Sequence, residues 1–211
     1  MAMDDPQIKL EKPLFYKNDI GLRFEIGPAD IDVWADFQRS KLNQEYFDVA
    51  LERALTIFNS AFSDSDNFSI SYQIFSDGRK RLRKNNDFLR LFPDVSKLNI
   101  SFTSHRDVYS EDLEFKRHCM KRVTVLNVTK SQVPISKILA AMINIDFSKR
   151  SPSIMGECFF INHTTGVVCH LYDDRGMDVV ANSKEPLVKV YKENNGLILG
   201  HDREYIESVF E

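Results

Sequence analysis

Acidic and basic side chains crowd one short segment near the C-terminus, Tyr172-Asp-Asp-Arg-Gly-Met-Asp178. Asp173, Asp174 and Asp178 could hold a divalent cation, since Mg²⁺ is commonly bound by one or two carboxylates together with water. Arg175 could instead bind an anionic group. The same residues suit a tight hairpin turn, with Asp at its start and Gly at a left-handed position. We expect a turn first and a binding surface second, and we assign no metal ligand here.

A basic stripe lies at residues 79–84, which carry five positive charges in six positions. On a strand, three of the arginines would share one face: Arg79, Arg81 and Arg83. That face could protect an exposed sheet edge or meet an acidic protein. It could also contact phosphates, with Tyr72 and Phe75 nearby to stack bases. The first two alternatives are favoured over nucleic acid.

Cysteine and histidine near the last strands are the remaining candidates for catalysis. Cys158 or Cys169 beside His170 could form a nucleophile and its base. If Asn162 pairs with Val167, both cysteines share an apolar face and His170 points the other way. If His163 pairs with Val167 instead, Cys158 and His170 lie on the same face. We expect the first register because it gives the cleaner hydrophobic face, so no catalytic residue is assigned and a protein without enzymatic activity is favoured.

Composition restricts the class of protein further. The 211 residues carry a net charge of −3, which argues against a protein dominated by nucleic-acid binding. Three cysteines without paired spacing fit a reducing cytoplasm. No secretory signal begins the sequence and no apolar run approaches the roughly 18–20 residues of a membrane span. Glycine-rich phosphate loops and Cys/His metal spacings are absent from the sequence, so we expect a cytoplasmic protein without cofactor or membrane partner.

Strands and helices must position these side chains, and their periodicities indicate an α+β fold. Alternating apolar residues predict strands near 20–27, 68–75, 98–102, 120–128, 157–162, 167–172 and 177–181. Helical periodicity predicts helices over 44–62, 87–92, 134–146 and 183–194, and another after Asp202. Asp77-Gly78 predicts a hairpin turn. We expect an antiparallel or mixed sheet with helices mainly on one face.

The domain organisation predicted from this order is a loose segment at 1–13 and a single domain at 14–211. Two β-α-β-β halves, 14–103 and 104–211, follow each other with a similar element order, which is consistent with an internal duplication. Residue identity between the halves is poor. Packing rules alone can also repeat β-α-β-β in an α+β sheet, so both explanations stay open.

Several segments together resemble a bacterial family catalogued only as a domain of unknown function. They are Gly21-Leu-Arg-Phe-Glu-Ile-Gly27, Phe75-Ser-Asp-Gly-Arg79, Arg106-Asp-Val-Tyr-Ser-Glu-Asp-Leu113 and Gly156-Glu-Cys-Phe-Phe-Ile-Asn162. The family hallmark looks like Leu171-Tyr-Asp-Asp-Arg-Gly-Met-Asp-Val179. The resemblance spans Leu14 to Phe210 and implies a Firmicutes-type cytoplasmic protein. It brings no activity with it, but members look like the small variable proteins encoded beside secreted or contact-dependent toxins.

The sequence therefore favours a protein-binding module of the toxin-immunity type, whose partner is the product of a neighbouring gene. The expected binding surface consists of Asp173, Asp174, Arg175, Asp178, Arg79, Arg81 and Arg83. Charges of this kind steer association and fix specificity. The alternative is a nucleic-acid or phosphate-binding protein, in one version metal-dependent, that uses the basic stripe and the cluster of Asp173, Asp174 and Asp178.

Overall fold

The computed structural model describes residues 8–76, 82–83, 85–106 and 119–211. Its strands are β1 (Gly21–Glu25), β2 (Phe68–Ser76), β3 (Asn99–Arg106), β4 (Cys119–Val128), β5 (Glu157–Asn162), β6 (Val168–Leu171) and β7 (Gly176–Val180). Its α-helices are α1 (Gln44–Ala61), α2 (Ile135–Ile143), α3 (Glu185–Glu193) and α4 (Arg203–Phe210). The described strands form one antiparallel sheet in the order β1-β7-β6-β5-β2-β4-β3. The predicted α+β class is confirmed.

The element boundaries largely follow the predicted periodicities. Helix α1 begins where predicted because the Asn43 side chain accepts a hydrogen bond from the Glu45 N–H at 3.2 Å. The predicted helix at 87–92 is only a 3₁₀ turn at Leu89–Leu91. Pro93 disfavours the helical conformation of the residue before it, so too few residues remain for an α-helix. The predicted Asp77-Gly78 turn lies outside the described residues.

The two faces of the sheet bury different kinds of residue. Buried residues of all four described helices share one apolar core with the sheet face that carries Leu22, Phe24, Cys169 and Met177. On the opposite face, Leu14 packs with residues of β5, β6 and β7 in a smaller apolar cluster. The segment 8–13, predicted to be loose, adds partly buried side chains to that cluster. Residues 8–18 therefore cover one end of this second face, the open face of the sheet.

The proposed halves interleave in the sheet. Strand β2, from the half at 14–103, lies between β4 and β5, which belong to the half at 104–211. Strand β1 lies at the far edge beside β7. The described chain is thus built around one continuous sheet, and the duplication itself stays a prediction. Among the described helices, none has the length and apolarity needed to cross a membrane.

Candidate functional site

The Asp-Asp-Arg-Gly segment forms the predicted turn between β6 and β7. The Asp173 carboxylate accepts the Arg175 N–H at 2.8 Å and also pairs with the Arg175 guanidinium. This pairing raises the pKa of Arg175. The Arg175 carbonyl in turn accepts the Ile26 N–H at 2.9 Å, which joins the turn to the end of β1. Asp173 therefore holds the turn, and the charged Arg175 guanidinium is ion-paired with it.

Gly176 is required for a reason other than the one predicted. We expected a left-handed glycine, but positive φ among the described glycines occurs at Gly156 and Gly166, and Gly176 instead begins β7. A Cβ at Gly176 would collide with the Tyr172 hydroxyl and approach the Phe24 carbonyl oxygen within 3.1 Å. Close approach of a neighbouring side chain, and not turn conformation, is what excludes a larger residue here.

Asp174 turns toward the helices. Its carboxylate accepts the Tyr46 hydroxyl of α1 at 2.7 Å, and both residues are buried. Burial raises the pKa of Asp174, and burial together with this carboxylate raises the pKa of Tyr46. Carboxylate oxygens of Asp146, Asp173 and Asp174 lie within 4.8 Å of one another. Because Tyr46 and Arg175 already bind the two buried members, we assign no metal site to this group.

Asp178 lies on the opposite face of the sheet from Asp174, so the predicted cluster of Asp173, Asp174 and Asp178 is not formed. It stands across from Arg23 of β1, with 3.5 Å between Arg23 Nε and Asp178 Oδ1. The second carboxylate oxygen accepts the Phe15 N–H at 3.1 Å. The period-2 alternation of β7 causes this separation, because it directs Asp178 away from the face that packs on the helices.

An ion cluster surrounds half-buried Arg23 on this open face, and its members are Tyr16, Arg23, Tyr172, Asp178 and Asp202. It is called the buried ion cluster because its two carboxylates, Asp178 and Asp202, are buried. Tyr172 is half-buried and Tyr16 is 55% exposed. Arg23 Nε lies 3.9 Å from Asp202, which accepts the Tyr16 hydroxyl at 2.9 Å. The guanidinium also contacts the faces of the two tyrosine rings. Burial raises the pKa of Asp178 to about 6, against the lowering effects of the Phe15 N–H and Arg23. Segment 8–18 thus closes over a desolvated group of charges.

This cluster is incompletely satisfied within the part of the chain that the structure describes. Arg23 Nε, Asp178 Oδ1 and Asp202 Oδ2 are buried without a hydrogen-bond partner there. The ion pairs are longer than good charge-assisted hydrogen bonds. Sequence reasoning missed Arg23 because a charged residue between Leu22 and Phe24 is usually solvent-facing. Its burial depends on a chain segment and on Asp202, which are distant in sequence.

The predicted hairpin register is confirmed, and it separates the cysteines from the histidine. Asn162 N–H donates to the Val167 carbonyl at 2.8 Å, and His170 pairs across the hairpin with Phe159, on which its ring stacks at 4.4 Å. Burial lowers the pKa of His170 to about 3 and raises the pKa of the Cys158 and Cys169 thiols. A neutral imidazole on one face and protonated thiols on the other do not form a nucleophile and base.

The basic stripe is only partly described, since Arg79 and Arg81 lie outside the described residues. Arg83 is exposed. Of the two aromatics expected to stack bases, Tyr72 is buried and stacks on Phe88 at 5.0 Å. That expectation is wrong for Tyr72, because the alternation of β2 directs it into the core. Phe75 is 48% exposed.

A hydrogen-bonded hairpin that sequence reasoning missed lies between β1 and α1, at residues 33–43. Trp34 and Leu42 form an antiparallel bridge, and the Asn43 N–H donates to the Val33 carbonyl at 2.8 Å. Asn43 is also the N-cap of α1, so the base of the hairpin is fixed to the helix. The segment has no long apolar periodicity, and its signal in the sequence is the single tryptophan among polar and basic residues.

The tip of the 33–43 hairpin is held by a carboxylate and presents an aromatic ring. Asp36 accepts hydrogen bonds from the Ser40 N–H at 2.9 Å, the Ser40 hydroxyl at 2.8 Å and the Lys41 N–H at 2.8 Å. These bonds lower the pKa of Asp36. Arg39 adopts φ of 54°, which is uncommon for a residue with a side chain. Phe37 is 99% exposed at this ordered tip.

A basic cleft of about 470 Å³ separates the hairpin from the loop after α2, at residues 146–150. Two half-buried aromatic residues and four basic residues line it: Trp34, Phe147, Arg39, Lys41, Lys149 and Arg150. The lining also includes Asp146, the acidic residue that approaches Asp173 and Asp174. The cleft and the Asp-Asp-Arg-Gly turn are therefore neighbours on the helical side.

Comparison with known proteins places the chain in a family. The family described as Domain of unknown function (DUF3885) matches residues 2–202. The chain belongs to this family. It is 21% identical over 183 residues to the uncharacterized protein YnaE of Bacillus subtilis (strain 168), with 82% of each chain covered. No solved structure matches the chain.

The DUF3885 match includes both charged regions of the molecule. It contains the 33–43 hairpin, the basic cleft, the Asp-Asp-Arg-Gly turn and the buried ion cluster through Asp202. Helix α4 follows the matched residues. The resemblance to an uncharacterised family of Firmicutes-type proteins is confirmed, and neither the family description nor the relative's name carries an activity.

Proposed function

We propose that this DUF3885 protein is a protein-binding module that contacts its partner through the 33–43 hairpin. The supporting observation is Phe37, which is 99% exposed although the loop around it is fixed by hydrogen bonds. An aromatic side chain has only two χ angles and so loses little conformational entropy on binding, and aromatic and arginine residues dominate interface energies. Trp34 and Arg39 lie in the same hairpin.

The specific form we propose is a toxin-immunity protein, which acts by occluding the product of a neighbouring gene. A role without catalysis is supported by the carboxylates of Asp173, Asp174 and Asp178, which are occupied in structural contacts. We further propose that Leu171–Val179 is a signature of the family, retained to build the turn. Free Cys158 and Cys169 support a reducing cytoplasmic location, and cell fractionation tests that location.

The direct test is co-expression of the tagged chain with the product of the adjacent gene. We expect the two proteins to co-purify, the chain to protect growth, and Phe37→Ala to weaken both effects. Tyr205→Ala is the control for loss of another exposed aromatic. Tyr205 lies on α4 and is 52% exposed, its ring packs edge-on against Phe15, and its hydroxyl donates to the Asp19 carbonyl. Absence of both binding and protection with the wild-type chain would refute the immunity role.

The nucleic-acid alternative now depends on the basic stripe alone. Its acidic half is divided between the two faces of the sheet, because Asp178 pairs with Arg23 while Asp174 binds Tyr46. Replacing Arg79, Arg81 and Arg83 together with Ala tests this alternative, and it also tests the predicted contribution of the basic stripe to partner binding. A steep loss of RNA or DNA affinity in that variant, measured over a salt series, would favour the alternative.

A further inference from the structure

The residues that line the basic cleft carry a net positive charge. Arg39, Lys41 and Lys149 are exposed and form no ion pair within the part of the chain that the structure describes. The lining contains four basic residues and one acidic residue, Asp146, whose carboxylate approaches Asp173 and Asp174. Asp48, outside the lining, also acts electrostatically on Arg150. Positive potential is therefore concentrated in a concave surface.

Arg150 is fixed in place by neutral groups. Its Nε donates to the Asn144 side-chain oxygen at 2.6 Å, and a terminal nitrogen donates to the Gln44 side-chain oxygen at 3.0 Å. The guanidinium carbon lies 3.7 Å from the centre of the Phe47 ring. Partial burial lowers the pKa of Arg150, but an arginine remains charged. The arginine is thus oriented in advance by neutral groups. Asp48, which acts on it electrostatically, accepts a hydrogen bond from the Gln44 amide at 2.7 Å.

Solvated surface charge alone explains these features poorly. Charged residues that only improve solubility do not need to line a cleft, and an arginine among them does not need to be held by three contacts. A volume of about 470 Å³ lies in the range of small-molecule sites. Half-buried Trp34 and Phe147 add aromatic surface to the same cleft. Cations that bind phosphate oxygens and a ring that can stack on a base are the two parts of nucleotide recognition.

We infer that this cleft binds a small phosphorylated ligand that carries a flat ring, which is the chemistry of a nucleotide. Arg150 and Lys149 contact the phosphates, and Trp34 packs against the ring. The inference goes beyond the proposed protein-binding function and does not depend on it. It rests on Arg150, Lys149 and Trp34, whereas partner binding is tested at Phe37.

Trp34 is the single tryptophan of the sequence, so its fluorescence reports directly on the cleft. We would titrate the full chain with ATP, pyrophosphate, adenosine and citrate, and repeat the ATP titration by calorimetry. The expected result is a saturable change with ATP, a weaker one with pyrophosphate, and none with adenosine or citrate at the same concentrations. Removing one charge-assisted contact typically costs about tenfold or more in affinity, so we expect at least that weakening in both Arg150→Gln and Lys149→Gln.

Lys189→Gln is the control for loss of one positive charge, since Lys189 lies on α3 and pairs with Glu193. Lys149 is exposed, so Lys149→Gln tests the site even if Arg150→Gln perturbs folding. No saturable change with ATP would overturn the inference. Citrate binding as tightly as pyrophosphate would overturn the phosphate assignment, and equal affinities for ATP and pyrophosphate would overturn the role of Trp34.

Discussion

The two charged regions of this protein use their charges in opposite ways. In the buried ion cluster, Arg23 lies between Asp178 and Asp202 beneath segment 8–18, and the charges are desolvated and mutually paired. In the basic cleft, Arg150 is held by neutral oxygens and its basic neighbours are exposed. The comparison indicates that the first region stabilises the fold, whereas the second is available to bind.

Removal of the cation from the ion cluster should have the largest effect on stability. Arg23→Met leaves the carboxylates of Asp178 and Asp202 buried without their counter-charge. Breaking a buried ion pair in this way typically costs about 3–5 kcal/mol. Urea denaturation should show a free energy of unfolding reduced by that amount.

The double variant Arg23→Met with Asp178→Leu is the matched control. It removes one of the stranded charges and replaces a charged contact with an apolar one, so it should recover part of the loss. If the free energy of unfolding of the single variant is instead within about 1 kcal/mol of the wild-type value, the ion cluster does not stabilise the fold.

Asp178 should also give the cluster a pH dependence. Burial raises the pKa of Asp178 from 3.8 to about 6 in the folded protein, so the folded state retains a proton that the unfolded state releases between these values. The stabilisation that this bound proton gives the folded state is therefore fully present below the unfolded pKa of 3.8 and is lost as the pH rises through about 6. With about 1.4 kcal/mol for each pKa unit, the loss is about 3 kcal/mol.

The measurement is the free energy of unfolding of wild type and of Asp178→Asn across this range. The advantage of wild type over Asp178→Asn should shrink as the pH rises, since the asparagine stays neutral. The charged and titratable groups that surround Asp178 or lie beside it on this face are Arg23, Asp202, Tyr16, Tyr172 and His170. A difference between the two proteins that does not vary with pH would show that Asp178 does not titrate there.

Gly176→Ala tests whether the Asp-Asp-Arg-Gly segment is required for structure. The new Cβ would collide with the Tyr172 hydroxyl, and overpacking of this kind costs about 1–3 kcal/mol. The new Cβ would also meet the ring carbon Cζ of Tyr172, so the tyrosine must be truncated further: Tyr172→Ala removes both atoms and should recover part of the stability in the double variant. Thermal unfolding of the four proteins measures the coupling, and strictly additive effects would contradict the predicted contact.

Phe37→Ala should have the smallest effect on stability. The ring is almost fully exposed, and surface substitutions of this type usually change the free energy of unfolding by less than about 0.5 kcal/mol. Chemical denaturation is the appropriate measurement. A loss well above that value would mean that Phe37 packs against the fold and is not free to contact a partner.

Periodicity and apolar patterning predicted most of the scaffold. The strands, the four main helices and the Asn162–Val167 register follow from which residues one sheet face can bury. The burial of Arg23 was not predictable in this way, since a chain segment from elsewhere covers it. Collision with the Tyr172 hydroxyl at Gly176 is likewise a three-dimensional contact.

The candidate site was the less predictable part. Asp173, Asp174 and Asp178 were grouped because they are close in sequence, but strand alternation and the turn distribute them over both faces. The 33–43 hairpin has neither helical nor strand periodicity, and its order comes from the Asp36 carboxylate and the N-cap of α1. The density of charged residues in the sequence alone therefore did not distinguish charges that hold the fold together from charges that are available to bind a ligand or partner.

The most direct test of this account measures affinity and stability together. The product of the adjacent gene is titrated calorimetrically into wild type, Phe37→Ala and Tyr205→Ala, and the melting temperature of each is recorded. A hot-spot aromatic contributes about 2 kcal/mol or more, so Phe37→Ala should raise Kd roughly thirtyfold with an unchanged melting temperature. Binding of Phe37→Ala with wild-type affinity would contradict the assignment of the hairpin as the contact surface.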